Sequence, residues 1–210
     1  NIVSVVPAQG TVGSSVTVTG NGYTASQTIT IDFGENLGIT SGSSTVEGSF
    51  TIFFSVNLQA YGTKIITARG PGLDSNSKLW FTIIPNIRMV TPTSGTVGSQ
   101  VSVEGDGYGA GESITVRFGS NQNIVGTTTD GSGLFKVQFT VDTQPYGIRT
   151  VVGYGNSIQQ SATSTVFKIT QNIISVIPIS GTVGTWATIR GNGYSVNTSC
   201  RISFDDHYAF

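Results

Sequence analysis

Apolar and polar residues alternate in short runs along most of the chain. In residues 28–33 the apolar Ile29, Ile31 and Phe33 are separated by polar residues, and residues 50–56 alternate in the same way. A period of two residues is typical of a β-strand that buries one face and exposes the other to water. Turn-forming Gly, Asn and Ser separate the runs, and the period of a helix is absent. We therefore predict an all-β chain with about seven short strands in each domain-sized segment, and hence a β-sandwich.

One group of turns and strands occurs three times. Each copy has a Gly-Thr-Val-Gly turn, then a strand with alternating apolar residues, then a Gly-x-Gly-Tyr loop. The turns occupy residues 10–13, 95–98 and 181–184, which gives spacings of 85 and 86 residues. Spacings of domain size indicate a tandem array of two complete domains and the N-terminal part of a third. The predicted segments are repeat one (1–85), repeat two (86–171) and repeat three (172–210).

Glycines mark the repeated turns and loops. Because glycine adopts positive φ without steric cost, the paired glycines are predicted to shape turns or bulges. The most Gly-rich loop, 105–111, is followed by a strand and has no Lys-Ser/Thr pair, so it does not fit a phosphate-binding loop. Tyr108 within it is expected to fold back onto the edge of the core. The predicted structural glycines are Gly10, Gly13, Gly20, Gly22, Gly95, Gly98, Gly105, Gly107, Gly181, Gly184, Gly191 and Gly193.

Very short segments join the repeats. Pro85 and Asn86 separate the last strand of repeat one from the first strand of repeat two, and residues 170–172 form the next junction. Flexible linkers are longer than this and rich in Gly or Ser. We therefore expect the repeats to stack end to end as a stiff rod.

Repeat three lacks the strands that would complete it. Its sequence has no counterpart of the Phe-rich strand, of the strand that starts with Tyr-Gly, or of the last strand. The inward-facing Ile189, Ile202 and Phe204 would therefore leave an apolar face and open sheet edges in water. Two explanations remain open: the chain continues beyond Phe210, or another chain donates the missing strands. The mass of the native polypeptide distinguishes them.

Composition narrows the classes of function. Charged residues make up 10% of the chain, the formal net charge is −1, and the ten Lys and Arg residues are scattered along it. A nucleic-acid-binding surface needs clustered basic residues, so nucleic acid is not expected as a partner. No apolar run approaches the roughly 18 residues of a membrane span. The chain starts at Asn1 without a leader-like segment, which suggests a processed protein or an excised fragment.

Few side chains could carry catalysis. His207 is the only histidine, lies near the end of the sequence and has no equivalent in the other repeats. Cys200 is the only cysteine, so no disulfide can form within the chain. It occupies the position of Ile29 and Ile114, and we expect it to be a small buried apolar side chain. We predict no catalytic and no cofactor-binding residues, and hence no enzyme.

Other candidate sites have simpler structural explanations. Asp130, Asp205 and Asp206 offer carboxylates, but the closely spaced Asp residues of a calcium loop are absent. We predict no metal site, and a structural calcium ion remains the alternative. Trp80 could belong to a carbohydrate platform, although an aromatic residue in a sandwich strand more commonly packs at the core or its edge. Asn197 begins the only Asn-x-Ser/Thr sequon and is a candidate glycosylation site.

The order of these motifs resembles the immunoglobulin-like IPT/TIG family. The shared features are an Ile/Val-x-x-Val-x-Pro opening, a Gly-Thr-x-Gly turn, a Val-x-Val/Ile-x-Gly-x-Gly-Tyr segment and an Ile-x-Val-x-Phe-Gly strand. Repeat three keeps the first three features and departs at Asp205, where the other repeats have Gly34 and Gly119. The resemblance implies tandem immunoglobulin-like β-sandwich domains. The matching segments are 2–7, 10–13, 16–23 and 29–34 in repeat one, and 87–92, 95–98, 101–108 and 114–119 in repeat two.

The resemblance extends to long tandem arrays in bacterial cell-surface and extracellular-matrix proteins. It implies an extracellular or cell-surface location, with other copies of the chain or other surface and matrix proteins as partners and glycans as further candidates. Some family members bind DNA through basic loops, but the corresponding loops here are not basic. Our first hypothesis is a non-enzymatic structural or scaffold segment of a secreted surface-layer, extracellular-matrix or filament protein. The alternative is an adhesin stalk or a carbohydrate-binding accessory region of a larger secreted protein.

Overall fold

The computed structural model describes residues 1–71, 73–74, 78–155, 164–205 and 207–208. Within this part of the chain every regular element is a β-strand, as the alternating pattern predicts. It accordingly contains no helix long and apolar enough to cross a membrane. The strands of repeat one are β1 (Ile2–Val6), β2 (Gln9–Gly10), β3 (Ser15–Gly20), β4 (Thr28–Phe33), β5 (Asn36–Ser43), β6 (Phe50–Ser55), β7 (Gly62–Gly70), β8 (Leu73–Asp74) and β9 (Leu79–Ile83).

The later strands follow the same order. In repeat two, the strands from β10 to β17 correspond to β1–β7 and β9. Repeat three contributes four described strands. The strands are β10 (Asn86–Thr91), β11 (Ser94–Gly95), β12 (Gln100–Asp106), β13 (Ser113–Phe118), β14 (Asn121–Thr128), β15 (Phe135–Thr140), β16 (Gly147–Gly155), β17 (Thr165–Ile169), β18 (Asn172–Ile177), β19 (Thr188–Asn192), β20 (Ser203–Phe204) and β21 (His207–Tyr208).

Two sheets face each other in each complete repeat. In repeat one, an antiparallel sheet has the order β1-β3-β6, and the second has the order β2-β9-β7-β4-β5 with β8 beside β7. The short β2 runs parallel to β9, so the start of the repeat crosses from one sheet to the other. Repeat two has the sheets β10-β12-β15 and β11-β17-β16-β13-β14. Both repeats are therefore immunoglobulin-like sandwiches, in tandem.

Phenylalanine rings connect the two sheets. Phe33 of β4 is fully buried, and its ring centre lies 5.1 Å from that of Phe54 and 5.8 Å from that of Phe81. Phe118 of repeat two makes the equivalent two contacts at the same distances. Tilted and edge-to-face aromatic pairs at this separation contribute about 0.5–1.5 kcal/mol beyond the area that they bury. Each complete repeat thus has its own apolar core.

The strand that follows β4 is not predicted by the alternating pattern. Residues 36–43 form β5, which pairs antiparallel with β4, and β14 is its counterpart in repeat two. β5 is rich in Gly, Ser and Thr, and its Leu37 points into solvent. Because this edge strand buries neither face completely, its sequence lacks the alternation that identifies the inner strands.

Repeat three forms a partial sandwich. β18 pairs with β19, and β20 pairs with β21, but the described residues of repeat three contain no counterpart of the strands that cover these elements in the complete repeats. Ile189, Ile202 and Phe204 are exposed and line a groove of about 420 Å³. Cys200 is exposed as well, so the expectation of a buried thiol is wrong. Its position is buried in the complete repeats because β6 and β7 and their counterparts close the core there.

Candidate functional site: the joint between repeats

The joint between repeats one and two is built on a tyrosine held in a fixed position. Tyr108 is fully buried, and its hydroxyl donates a hydrogen bond to the carbonyl oxygen of Gly153 at 3.1 Å. Its ring meets that of Phe135 edge to face, with centres 5.3 Å apart. Its backbone N–H donates to the carbonyl oxygen of Gly133 at 3.2 Å, which ties the Gly-x-Gly-Tyr loop to the neighbouring turn. The loop therefore presents a rigid backbone surface to the preceding repeat.

A backbone hydrogen bond crosses the joint. The N–H of Tyr61, in the corner that precedes β7, donates to the carbonyl oxygen of Tyr108 at 2.7 Å. A bond between two backbone groups fixes direction as well as distance, and it has no side-chain rotamer freedom. It therefore restricts how repeat two can turn relative to repeat one.

Glycines allow the two repeats to approach closely. Gly107 has φ of +69°, and a Cβ added there would lie 2.7 Å from the carbonyl oxygen of Ile84 and 3.2 Å from a side-chain methyl of Ile83. A Cβ on Gly133 would collide with the carbonyl oxygen of Tyr108 in its own repeat, and it would lie 3.0 Å from the Cα of Ala60 across the joint. Because Cβ atoms essentially never lie closer than 3.0 Å to other heavy atoms, the contact with Ile84 across the joint requires glycine at position 107. At position 133 glycine is required first by Tyr108 of the same repeat.

The joint between repeats two and three uses the same construction. The N–H of Tyr146 donates to the carbonyl oxygen of Tyr194 at 3.2 Å. Gly193 has φ of +67°, and a Cβ there would lie 2.6 Å from the carbonyl oxygen of Thr170. Because the same backbone groups meet at both places, the joint is itself a repeated feature of the chain. Its two occurrences do not depend on the completeness of the following repeat.

The predicted glycine pairs divide into two roles. The second member of each pair has positive φ: Gly13, Gly22, Gly98, Gly107, Gly184 and Gly193. The first member of each pair does not have positive φ. The first glycine instead leaves space for a side chain of its own repeat, which a Cβ at that position would meet. A Cβ on Gly20 or Gly105 would collide with a Phe ring, one on Gly191 with the Tyr194 ring, and one on Gly10, Gly95 or Gly181 with a Ser or Thr side chain four residues later.

In repeat two, the Gly-x-Gly-Tyr loop contains a buried carboxylate. Asp106 is 1% exposed, and its Oδ1 has no hydrogen-bond partner. Burial raises the pKa of its carboxyl, although the nearby positive charge of Arg88 opposes the rise. The equivalent position is Asn21 in repeat one, which is exposed, and Asn192 in repeat three, whose buried Oδ1 also has no partner. Only repeat two places an ionisable group here.

Two ion-pair clusters lie on the outer faces of the complete repeats. Arg69 binds Asp32 through two hydrogen bonds of 2.6 and 2.7 Å, and Thr67 adds a third at 3.1 Å. Burial alone would raise the pKa of Asp32, but these hydrogen bonds and one from the N–H of Gly38 outweigh it, so the pKa is lowered. In repeat two, Lys136 and Arg88 both contact Glu104 and lower the pKa of its carboxyl. Each cluster links neighbouring strands of one repeat, so we assign them a structural role.

The remaining candidate residues are dispersed. The Asp130 carboxylate accepts the N–H groups of Ser132 at 2.8 Å and Leu134 at 3.0 Å, so it shapes a turn. Asn197 is exposed, with φ of +53°. Asp205 has φ of +47°, whereas Asp206 and the His207 side chain lie outside the described residues. In the part of the chain that the structure describes, no three His, Cys, Asp or Glu side chains group closely enough to hold a metal ion.

Of the two sides of each joint, only the Gly-x-Gly-Tyr loop could be predicted from the sequence. The Gly-x-Gly-Tyr loops were evident as repeated motifs, but their contact with the preceding repeat was not. The other half consists of Tyr61 and Tyr146, which sequence analysis places only at the start of a strand. The signal that could have identified them is the Tyr-Gly dipeptide, which recurs in repeat two at the same distance from the glycine pair.

Comparisons with known proteins give only distant likenesses. No protein-family model matches the chain, and no curated protein matches it either. Among solved structures, the chain is similar to invasin, a bacterial integrin-binding protein, with 16% identity and a TM-score of 0.37 over 84% of this chain and 42% of that one. It is similar to the adhesin InvE of Yersinia pseudotuberculosis, with 14% identity and a TM-score of 0.36 over 98% of this chain and 65% of that one.

A third likeness is to the D0-D1 domain of intimin, with 15% identity and a TM-score of 0.31 over 80% of this chain and 99% of that one. The chain spans less than two thirds of the invasin and InvE structures. With TM-scores below 0.5, the assignment of an immunoglobulin-like fold rests on the strand order and pairing of the chain itself.

Proposed function

We propose that this chain is a non-enzymatic spacer within a larger secreted protein, in which immunoglobulin-like repeats are stacked at fixed angles. The observation that carries the proposal is the repeated joint, in which Tyr61 bonds to Tyr108 and Tyr146 bonds to Tyr194 through backbone groups. Domains joined within one chain usually move relative to one another. A recurring hydrogen bond at a close glycine contact favours a fixed arrangement instead.

The short junctions add to this restriction. Ile84 lies on Gly107, and only Pro85 separates it from Asn86, where β10 begins. Proline fixes its own φ and limits the conformations of the residue before it. A segment of this kind transmits orientation from one repeat to the next. That property suits a structural element better than a flexible tether.

The finer assignment is a scaffold segment of a surface-layer, extracellular-matrix or filament protein located at the cell surface or outside the cell. The resemblance of the repeated motifs to IPT/TIG arrays supports this assignment, as does the low charge of the chain. The partners would be other repeats of this kind or other surface and matrix proteins. In an extracellular location, the exposed Asn197 would also be open to glycosylation.

The second candidate is an adhesin stalk or carbohydrate-binding accessory region. Trp80 favours it, because this large aromatic side chain is 58% exposed and lies across the strand pair from the partly exposed Ile65. Exposed aromatic faces are suited to stacking against sugar rings. The counterparts in repeat two, Thr150 and Val166, offer no such surface.

Glycan-array binding tests the choice between the two functions. The scaffold assignment predicts no specific glycan signal for residues 1–210 and no difference for Trp80→Ala. Micromolar binding that is lost in Trp80→Ala and kept in a control variant, Phe53→Ala, would replace it with the carbohydrate-binding assignment. A thermal melt with and without EDTA tests the prediction that the chain has no metal site, and a melting temperature that falls with EDTA would favour the structural calcium ion instead.

A further inference from the structure

A carboxyl group is buried at the joint between repeats one and two. Asp106 is the last residue of β12, and its Cα lies opposite that of Asn86, with which β10 begins directly after the junction. The next residue, Gly107, faces the carbonyl oxygen of Ile84 in repeat one. Asp106 is 1% exposed, and its Oδ1 has no hydrogen-bond partner. This oxygen is therefore removed from water at the joint without gaining a hydrogen bond.

The equivalent positions indicate that the joint itself covers this side chain. Asn192 lies at the joint between repeats two and three, and its Oδ1 is also buried without a partner. Asn21 does not lie between two described repeats, and it is exposed. The side-chain amide of asparagine has no acidic proton, whereas the carboxyl of aspartate ionises. Of the three equivalent positions, only Asp106 can therefore become charged.

The charged and titratable groups of repeat two that lie around Asp106 bond elsewhere. Arg88 favours the ionised carboxyl by its charge, but its guanidinium binds Glu104 at 2.6 Å. Glu112 accepts a hydrogen bond of 2.7 Å from the backbone of the loop. Burial, together with the charges of Glu112 and Asp106, raises the pKa of the Tyr108 hydroxyl, so this side chain stays neutral. For Asp106 itself, burial outweighs the charge of Arg88 and raises the pKa of the carboxyl.

The groups that repeat one contributes to this joint are uncharged. They are the side chain of Ile83, the carbonyl oxygen of Ile84 and the backbone N–H of Tyr61, which already bonds to Tyr108. Burying an ionised carboxyl that is not fully paired is unfavourable, and contact with water relieves the cost. Ionisation of Asp106 therefore favours any arrangement in which the two repeats separate and water reaches the carboxyl.

We propose that Asp106 makes the joint between repeats one and two a pH-sensitive hinge, which is most firmly closed when its carboxyl is neutral and opens more often when it is ionised. The carboxyl has a higher pKa in the closed joint than the ordinary 3.8 expected in water. The stabilisation of the closed joint is therefore complete below 3.8 and is lost as pH rises through the pKa of the closed state. The joint at Asn192 has no such dependence. The proposal goes beyond the spacer function, because it makes the stiffness of one joint and not of the other depend on pH.

Amide exchange of residues 1–210 at several pH values tests the proposal. Protection factors, which correct each rate for the intrinsic pH dependence of exchange, are measured for Tyr61 and Tyr146 between pH 3 and pH 8. The protection of Tyr61 should fall by about fivefold or more over this range, which is the lower end of the cost of an unpartnered buried polar group. That of Tyr146 should stay constant. The core amides of Ile31 and Val116, on the inner strands β4 and β13, should be better protected than Tyr61 at every pH, because the hinge opens without unfolding either repeat.

Two substitutions exchange the residues of the two joints and serve as matched controls. Asp106→Asn should make the protection of Tyr61 independent of pH, as that of Tyr146 is in the natural chain. Asn192→Asp should give Tyr146 a protection that falls with rising pH, while Tyr61 behaves as in the natural chain. Each variant is compared with the unchanged joint in the same molecule, so either one tests the proposal if the other does not fold.

The proposal is overturned if the protection of Tyr61 stays constant from pH 3 to pH 8, or if its pH dependence persists in Asp106→Asn. Equal protection of Tyr61 and the core amides would show that the joint opens only when a repeat unfolds, and it would also overturn the hinge while leaving the rigid spacer intact. A Tyr61 amide without protection at any pH would contradict both the hinge and the spacer of fixed geometry.

Discussion

The backbone N–H of Tyr61 donates to the carbonyl oxygen of Tyr108 at 2.7 Å, across the boundary between two separate apolar cores. Tyr108 is fully buried in its own repeat, so the acceptor belongs to a rigid element. The same relation recurs between Tyr146 and Tyr194. A contact of this kind makes the relative orientation of neighbouring repeats a property of the sequence.

Amide exchange should report both joints directly. We expect the amides of Tyr61 and Tyr146 to exchange more slowly than other loop amides, with Tyr61 the slower because its bond is 2.7 Å and that of Tyr146 is 3.2 Å. Hydrogen exchange followed by NMR measures this, with the exposed loop residue Val46 as an internal reference. Rates at Tyr61 equal to those at Val46 would contradict the joint.

Asp106→Asn should stabilise repeat two at neutral pH. The carboxyl of Asp106 has a raised pKa in the folded chain, so ionisation opposes folding as pH rises above the unfolded value of 3.8. An unpartnered buried polar group costs about 1–3 kcal/mol, which sets the scale of the gain from removing its charge. The difference between the variant and the natural chain should disappear below the unfolded pKa. Unfolding curves between pH 3 and pH 8 measure it.

Two substitutions control for that result. Asn21→Asp changes an exposed position and should leave stability unchanged, whereas Asn192→Asp should destabilise repeat three at neutral pH. Equal stability of Asp106→Asn and the natural chain at pH 8 would show that the buried carboxylate carries no cost.

Asp32 should have the opposite pH dependence. Its pKa is lowered in the folded chain, so its contribution to stability is present above the unfolded value of 3.8 and is lost as pH falls through the folded pKa. We expect Asp32→Asn to destabilise repeat one at pH 7 by about 1 kcal/mol or less, because Arg69 is half exposed and screened by water. Denaturant unfolding at pH 7 and pH 2 measures the effect. A loss of stability that is the same at both pH values would contradict the role of the charge.

Cys200 provides a single chemical probe of repeat three. Its thiol is exposed in residues 1–210, although the equivalent Ile29 and Ile114 are buried. We expect one thiol per chain to react with a maleimide under native conditions, at a rate close to that of the unfolded chain. When the missing strands are supplied by a longer polypeptide or by a donor chain, the same thiol should become protected. Slow reaction in residues 1–210 alone would contradict the open face.

The inner strands could be predicted because their alternation has a physical cause. Ile29, Ile31 and Phe33 face the core while the residues between them face outward. Every second residue of the strand is therefore apolar because it is buried. β5 could not be predicted in this way, because an edge strand with Leu37 in solvent follows no burial pattern. Sequence patterns therefore identify what each repeat buries inside itself.

The joint between repeats could not be predicted from the pattern of buried residues within each repeat. Gly22, Gly107 and Gly193 occupy equivalent positions and have nearly the same φ, yet only the last two contact another repeat. The backbone bond from Tyr61 has no side-chain signature, since any residue other than proline could donate it. Contacts made by backbone groups between repeats become visible only when the repeats are placed in space.

Residual dipolar couplings test the central claim most directly. Couplings of backbone amides in repeats one and two are measured in one weakly aligned sample of residues 1–210. If the joint fixes the repeats, a single alignment tensor fits both, and Gly107→Asn splits the fit into two tensors of different magnitude. Different tensor magnitudes for the two repeats of the natural chain would show that they move independently, and would contradict a spacer of fixed geometry.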